Sequence, residues 1–203
     1  MPDTGRYAVR LAAGPDDLRA AQELRYDVFV RELGGDGPMV DHRAGLETDR
    51  YDAHADHLLL TDAARDGAVV GVYRLMRADQ AARAGGFYCA DEYDLAPLLT
   101  TRRPLLELGR SCLHVDHRGG SAMMVLWQGL ARYVADHDIA PDRIDARAAM
   151  VQTPALIKAY LRLGGFVGEG AFVDHAFNTT DVCLVMDTDR MNATQARIYG
   201  GAR

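Results

Sequence analysis

The stretch that decides the fold is Glu107-Leu-Gly-Arg-Ser-Cys-Leu-His-Val-Asp-His117, which continues into Arg118-Gly-Gly-Ser-Ala122 and an apolar helix. It places a glutamate and an arginine on a predicted strand that ends in a turn of small residues. Such a turn before a helix leaves backbone N–H groups without partners, and the positive end of the helix dipole adds to them. The turn therefore predicts an anion-binding site that suits a pyrophosphate or a phosphopantetheine arm.

Strands and helices alternate on both sides of this turn. Before it, the pattern predicts a strand at residues 7–12, a helix at 15–33 and an irregular loop at 34–51. A β-hairpin at 57–61 with 68–76 and a mixed connection at 78–103 follow. The strand that leads into the turn is predicted at residues 105–115, and helices are predicted at 123–137 and 154–163. A closing pair of strands is predicted at 166–173 and 181–187. This order predicts the α/β (α+β) class, with a mixed central sheet flanked by helices.

Composition limits the classes of function. The chain has 203 residues, of which 48% are hydrophobic and 26% charged, and we expect a single domain over residues 1–203. A formal net charge of -6 at pH 7 argues against a nucleic-acid binder. No segment has the pattern of a signal peptide or a membrane span, so we expect a cytoplasmic protein. The three cysteines, Cys89, Cys112 and Cys183, lie far apart and imply neither a disulfide framework nor a zinc site.

The turn at residues 118–122 resembles the acyl-donor loop of the GCN5-related N-acyltransferases. Four further fragments, in the right order, resemble the members that take a long acyl chain from acyl carrier protein, among them the acyl-homoserine lactone synthases. They are Leu24-Arg-Tyr-Asp-Val-Phe29, Asp49-Arg-Tyr-Asp52, Gly71-Val-Tyr-Arg-Leu75 and Glu107-Leu-Gly-Arg110. Within that group, four more fragments resemble the L-ornithine Nα-acyltransferases of ornithine-lipid synthesis, at residues 113–118, 126–133, 157–166 and 177–183.

The resemblance implies a reaction and its partners. The α-amine of ornithine would attack the thioester of a 3-hydroxyacyl carrier protein and give lyso-ornithine lipid. No cofactor would be bound permanently, because the acyl-phosphopantetheine of acyl carrier protein is the donor, with acyl-CoA as an alternative. The lipid product allows a peripheral contact with the inner membrane.

Two alternatives remain open at this point. The first is a related N-acyltransferase with another amine acceptor, including homoserine lactone synthesis. The second is a degenerate, non-catalytic acyltransferase fold that only binds carrier protein or membrane. The second gains weight from residues 138–152, which are shorter than the corresponding segment of the family and contain no clear strand.

Candidate site residues fall into three groups. For catalysis, Glu107 is expected to bind the ammonium and accept its proton, and the fold implies backbone N–H groups of Leu113 and Val115 at the thioester oxygen. The alternative for Glu107 is a structural salt bridge with Arg74 or Arg110. For the donor phosphate, the resemblance implies Arg118, Gly119, Gly120, Ser121 and Ala122. For the acceptor, it implies Arg25, Phe29, Asp49, Asp52, Arg74 and Arg110, which could instead be a charged network that holds the N-terminal helix to the sheet.

Histidines and surface arginines complete the expectations. The pairs His54 with His57 and His114 with His117 have spacings that suggest a metal, but residues i and i+3 of a strand point to opposite faces. We therefore predict no metal site. Acyl carrier protein is acidic, so its docking should use arginines near the donor turn, for which the candidates are Arg102, Arg103, Arg118 and Arg132.

Overall fold

The structure is a computed structural model that describes residues 5–101, 103–118, 121–137, 139, 165–168, 172–174, 179–181 and 183–186. The strands are β1 (Tyr7–Leu11), β2 (Val40–Asp41), β3 (Leu46–Glu47), β4 (Asp56–Asp62), β5 (Ala68–Arg77), β6 (Leu106–Leu113), β7 (Gly165–Val167), β8 (Phe172–Asp174), β9 (Thr179–Asp181) and β10 (Leu184–Met186). The helices are α1 (Pro15–Arg25), α2 (Ala78–Ala84), α3 (Ala96–Leu99) and α4 (Ser121–Asp136). Helix α1 continues as a π-helical segment, Tyr26–Glu32, and short 3-10 turns cover Ala63–Arg65, Tyr88–Asp91 and Val115–His117.

Four strands form the central sheet in the order β1-β4-β5-β6, and each neighbouring pair is antiparallel. The turn between β4 and β5 has Asp66 in the left-handed region, with φ of 54°. An Asp-Gly pair favours that conformation, as the sequence predicted. Among the described residues, three smaller antiparallel pairs join β2 to β3, β7 to β10 and β8 to β9.

Helices cover both faces of the sheet because side chains alternate along each strand. Leu58 and Leu60 of β4 pack with Trp127 in the core under α4. The intervening Leu59 points to the other face and packs with Leu24 under α1. This arrangement explains why β4 reads as a continuous apolar run, since both of its faces are buried.

Strand β6 contains a bulge at Arg110 and Ser111, which together lie opposite the single residue Tyr73 of β5. Arg110 has φ of 50°, in the left-handed region that non-glycine residues seldom adopt. A bulge redirects the side chains that follow it. In a regular strand Arg110 would point to the face opposite Gly109, whereas the bulge turns it to the α1 face.

Several sequence-based bounds need correction. The strand predicted at residues 105–115 ends at Leu113, because Val115 belongs to a 3-10 turn. The predicted loop at 34–51 contains the short strands β2 and β3. The predicted closing pair is interrupted, so that β7 pairs with β10 and β8 with β9. The helix predicted at 154–163 and the stretch 144–150 lie outside the described residues. No helix of the described part is long and apolar enough to cross a membrane.

Candidate active site

A cluster of buried charges lies on the α1 face of the sheet, between α1, the loop before β4, and strands β5 and β6. Arg25 of α1 is fully buried and donates two hydrogen bonds to Asp52, at 2.9 and 2.7 Å. Its Nε lies 2.5 Å from Glu47 Oε2, and its Nη2 also donates to the Glu47 carbonyl. Burial raises the pKa of Asp52, but the Arg25 hydrogen bonds and charge outweigh it and hold that pKa below its ordinary value.

Arg110 continues this network from the bulge in β6. Its Nε donates to Glu47 Oε1 at 3.1 Å and its Nη2 donates to Asp49 Oδ2 at 2.8 Å. The Tyr88 ring lies against its guanidinium, with 4.7 Å between Cζ and the ring centroid. Burial lowers the pKa of Arg110, but Glu47 and Asp49 more than offset this and raise it. Arg110 is therefore a permanent cation that two carboxylates hold.

Arg74 of β5 is the least satisfied member of the cluster. Its Nη1 lies 2.8 Å from Asp49 Oδ2, and its guanidinium faces the rings of Tyr51 and Tyr88 at 5.3 Å each. None of its three side-chain nitrogens has a hydrogen-bond partner of acceptable geometry in the described part of the chain. Gly109 lies opposite it on β6, where a Cβ would come within 3.3 Å of Arg74 Nη2.

Glu107 of β6 lies beside Arg74 and has two very different carboxylate oxygens. Oε2 accepts hydrogen bonds from the backbone N–H of Cys89 at 3.0 Å and from its thiol at 3.1 Å. Oε1 is buried, has no hydrogen-bond partner among the residues that the structure describes, and lies 3.8 Å from Arg74 Nη2. A buried carboxylate oxygen without a partner is costly, so this atom is a natural point for a ligand's hydrogen-bond donor.

The predicted pairings of Glu107 are therefore only partly correct. Arg74 is near it at 3.8 Å, as one alternative held, whereas Arg110 is committed to Glu47 and Asp49. The alternative for the acceptor residues is a charged network that fixes the N-terminal helix to the sheet, and the contacts of Arg25 match that alternative. The catalytic role of Glu107 stays a prediction, and the atoms of Arg74 and Glu107 that have no hydrogen-bond partner among the described residues leave room for it.

The donor turn begins where β6 ends. The His114 N–H donates to Val70 O, which makes Leu113 and Gly71 a non-hydrogen-bonded pair. The Leu113 N–H therefore points away from β5, towards the outer edge of β6. Val115 is 57% exposed on the following 3-10 turn. The structure thus brings Leu113 and Val115 to the same end of β6 but not onto one strand.

Arg118 has a protein partner in the structure. Its two terminal nitrogens donate to the two Glu32 oxygens at 2.5 and 2.7 Å, and its Nε donates to the Leu113 carbonyl. Ser121 opens α4 and is exposed, whereas Ala122 is 1% exposed and belongs to the core under α4. Only the backbone of Ala122 is therefore available to a donor. Gly119 and Gly120 lie outside the described residues.

Phe29 is partly buried and packs on the apolar core under α1, next to the charged cluster. Its place in the acceptor set stays a prediction.

Sequence reasoning missed Glu47, Tyr88 and Cys89. Glu47 is 2% exposed and bridges Arg25 and Arg110. A signal for it was present, because it stands two residues before Asp49 in a loop already rich in acidic candidates. Tyr88 and Cys89 lie in a connection that had no motif, so only the folded chain brings them to Glu107.

The histidines predicted not to bind metal have other contacts. His57 is 4% exposed, its Nε2 lies 3.1 Å from the Asp52 carbonyl, and burial lowers its pKa. His117 is equally buried, and its Nδ1 lies 3.0 Å from the Tyr7 hydroxyl. Burial lowers the pKa of His117 as well. Both are thus structural, neutral side chains, one beside the cluster and one beneath the donor turn.

Comparison with known proteins shows the family and the fold of the chain. Residues 24–128 match the model of the acetyltransferase (GNAT) domain. The chain is similar to an L-ornithine N(alpha)-acyltransferase of Rhodobacter capsulatus, with 46% identity over 95% of this chain and 94% of the relative. That alignment spans 244 residues, more than the 203 of this chain, so the relative has residues without a counterpart here. This fits the predicted shortening, whose position at 138–152 stays a prediction.

Two of the solved structures that superpose on the chain are acyl-homoserine lactone synthases. The acyl-homoserine lactone synthase LasI superposes with a TM-score of 0.60 at 22% identity, covering 97% of this chain and 96% of LasI. A CoA-dependent acyl-homoserine lactone synthase, MesI, gives 0.59 at 20% identity, covering 97% of each chain. At these identities the likeness establishes the fold alone, and it confirms the predicted fold class.

Proposed function

Because the chain belongs to the L-ornithine N(alpha)-acyltransferases of the GNAT family, we propose that it transfers an acyl group from a thioester to the α-amine of L-ornithine. The α-amine attacks the thioester carbonyl, the new C–N bond forms, and the C–S bond breaks. The leaving sulfur takes a proton, and the nitrogen loses two from its ammonium form. One proton is therefore released overall, and a base near the amine assists this.

The observation that carries the proposal is the unsaturated pair of Arg74 and Glu107. An amino acid presents a carboxylate beside an ammonium, and this pair presents a guanidinium beside a carboxylate. Arg74 Nη1 lies 2.8 Å from Asp49 Oδ2, but within the described ranges no Arg74 nitrogen makes a hydrogen bond, so the guanidinium can bind the carboxylate. Glu107 Oε1 likewise accepts no hydrogen bond there and can bind the ammonium. These groups support Arg74 as the carboxylate anchor and Glu107 as the group that binds the amine and accepts its proton.

The charge balance of the cluster favours a cationic acceptor. Its buried core contains the three guanidinium groups of Arg25, Arg74 and Arg110. Four carboxylates surround them, those of Glu47, Asp49, Asp52 and Glu107. One negative charge is left over, and ornithine at neutral pH carries one net positive charge. A neutral amino acid would leave the site with an uncompensated charge in a low-dielectric region.

We infer that the donor end lies at the termini of β6 and α4. The outward N–H of Leu113 is suited to the thioester oxygen, with the backbone of Val115 beside it. Arg118, the two following glycines, Ser121 and the Ala122 N–H would hold the phosphate of a phosphopantetheine arm. Acyl carrier protein and acyl-CoA both carry this arm, and the first is our proposed donor.

We also infer where the reaction takes place. Acyl carrier protein and ornithine are cytoplasmic in bacteria, and the product carries an acyl chain that partitions into a bilayer. We therefore propose a single cytoplasmic domain with a peripheral contact at the inner membrane.

Mass spectrometry tests the proposed function directly. Purified protein is incubated with 3-hydroxyacyl carrier protein, or separately with acyl-CoA, and a mixture of amino acids that includes ornithine. We expect one new product, acyl-ornithine. With blocked acceptors, Nδ-acetylornithine should react and Nα-acetylornithine should not, because the α-amine is the proposed nucleophile. Product from another amino acid alone would identify a different acceptor, and an acylated donor left intact would contradict catalysis.

Substitution of Glu107 tests the site in the same assay. Glu107→Gln should lower turnover by about 100-fold or more, the ordinary range for loss of a general acid or base. Glu23→Gln is the matched control, because this carboxylate is exposed on α1 and pairs with Arg19 one turn earlier on the same helix. Near-normal turnover of Glu107→Gln would remove Glu107 from the mechanism.

A further inference from the structure

Cys89 donates two hydrogen bonds to one oxygen of the proposed catalytic carboxylate. It lies in the 3-10 turn Tyr88–Asp91, in the connection between α2 and α3. Its backbone N–H and its thiol both donate to Glu107 Oε2, at 3.0 and 3.1 Å. The other oxygen of the carboxylate, Oε1, has no hydrogen-bond partner in the described part of the chain. One residue thus contacts one oxygen of Glu107 twice and makes no hydrogen bond to the other.

The thiol is suited to this role because it keeps its proton. Burial and the adjacent Glu107 charge raise the pKa of Cys89 far above its ordinary value. A thiol that stays protonated is a hydrogen-bond donor at every working pH, whereas a thiolate would repel the carboxylate. Two donors on one oxygen also fix the plane of the carboxylate, which a single donor does not.

We propose that Cys89 is a positioning residue for acyl transfer, which orients the Glu107 carboxylate so that Oε1 faces the acceptor amine. The inference rests on the proposed function, since it assigns the role of Cys89 through Glu107. It goes beyond that function, because nothing in the acyl-transfer chemistry requires a thiol at this place. A small misorientation of a catalytic group is costly, because transfer depends on a narrow range of geometry.

Packing is the competing explanation. Cys89 also packs against the apolar cluster around Tyr51, Met76 and Phe87. If packing were its only role, its replacement would change stability and would affect turnover equally whether or not Glu107 is ionisable. If it positions Glu107, the donor ability of the side chain decides the outcome. Ser keeps a donor and is smaller than Cys, whereas Ala removes the donor.

The experiment is a double-mutant cycle on acyl-ornithine formation, with kcat, KM for ornithine and melting temperature measured for each variant. Cys89→Ala should lower kcat about five- to tenfold, the effect of one lost hydrogen bond, because the backbone N–H still donates. Cys89→Ser should recover most of this loss. In the Glu107→Gln background, Cys89→Ala should cause no further loss, since the group that it orients is gone.

Cys112→Ala is the matched control. Cys112 is a buried free cysteine on β6, the same strand as Glu107, but it packs under α1. We expect this variant to melt at a lower temperature and to keep the wild-type kcat.

Three results would overturn the inference. Unchanged kcat in Cys89→Ala, an equal loss in both Glu107 backgrounds, or failure of Ser to recover activity each assign Cys89 to packing alone. All three leave the proposed function standing, because wild-type protein still forms acyl-ornithine. Absence of product from the wild-type protein overturns both.

Discussion

At the scale of single residues, Arg25 is the group whose removal the protein should tolerate least. Its side chain is fully buried and neutralises Asp52 and Glu47, which are 5% and 2% exposed. Arg25→Leu would leave both carboxylates buried beside one cation fewer. We expect a loss of about 3–5 kcal/mol in the free energy of unfolding, measured by urea denaturation at pH 7.

The control for this prediction is Arg19→Leu on the exposed face of the same helix. Arg19 and Glu23 are an exposed i,i+4 pair, so their loss should change the unfolding free energy by less than about 0.5 kcal/mol. Equal effects of the two substitutions would contradict the prediction.

The pH dependence of Arg25→Leu has a definite sign. In the wild-type protein the pKa of Asp52 is held below its ordinary value, so its ionisation stabilises the fold above about pH 4 and less below it. Without Arg25, burial dominates and the folded protein binds a proton more readily than the unfolded chain. The stability gap between variant and wild type should therefore narrow as pH falls from 7 to 5.

Most of the charged members of the cluster could be predicted from the sequence, but Glu47 and the pairing of the charges could not. Arg25, Asp49, Asp52, Arg74, Arg110 and Glu107 stand out as separate charged fragments, and the structure places them together. The partner of Arg110 depends on the bulge in β6, where Arg110 has φ of 50°. The residue types at this position do not predict that bulge. Cys89 reaches Glu107 from a connection without a motif, so long-range packing alone reveals it.

At the scale of secondary-structure elements, α4 approaches β1 closely at Gly129. This glycine is buried in the helix, and a Cβ added to it would overlap Cγ1 of Val9. Ala is favoured over Gly in a helix by about 1 kcal/mol, yet the overlap must push the helix from the sheet. We expect Gly129→Ala to lower the free energy of unfolding by about 1–3 kcal/mol, measured by chemical denaturation.

Val9→Ala provides the test of that cause. In the double variant both Val9 methyl groups are absent and the Cβ of residue 9 remains, 3.0 Å from the added Cβ, so Gly129→Ala should lose most of its cost in the Val9→Ala background. Destabilisation that is the same in both backgrounds would show that another contact limits the helix position.

The elements themselves were largely predictable, whereas their ends were not. The short apolar runs of β4 and β5 and the Asp66-Gly67 turn between them are local signals, and the hairpin follows from them. β6 ends at Leu113 because a 3-10 turn begins there, and the His114 ring caps that turn. The hydrogen bonds of this turn compete with those of the strand, and the hydrophobic periodicity of the sequence does not show which will form. The π-helical continuation of α1 likewise keeps the apolar spacing of an ordinary helix.

At the scale of the whole molecule, the ion pair of Glu32 and Arg118 joins two distant parts of the chain. Glu32 ends the π-helical segment after α1, and Arg118 follows β6 in the donor turn. Each group lowers the electrostatic cost of the other, and the Arg118 hydrogen bonds hold the pKa of Glu32 below its ordinary value. Because the net charge is -6, an acidic donor such as the proposed acyl carrier protein would require local cations of this kind.

Glu32 occupies the forked face of the Arg118 guanidinium that a donor phosphate would use, since both anions bind it in a bidentate manner. If Arg118 holds the donor, Glu32→Gln should lower KM for the acyl donor by about two- to fivefold with kcat unchanged, because an exposed ion pair competes only weakly. Arg118→Glu should raise that KM, and Glu23→Gln should leave it unaltered. The measurement is initial-rate kinetics at low and high salt, where added salt should shrink each effect. A donor KM that responds to neither Glu32→Gln nor Arg118→Glu would place the donor phosphate elsewhere, on backbone groups of the turn alone.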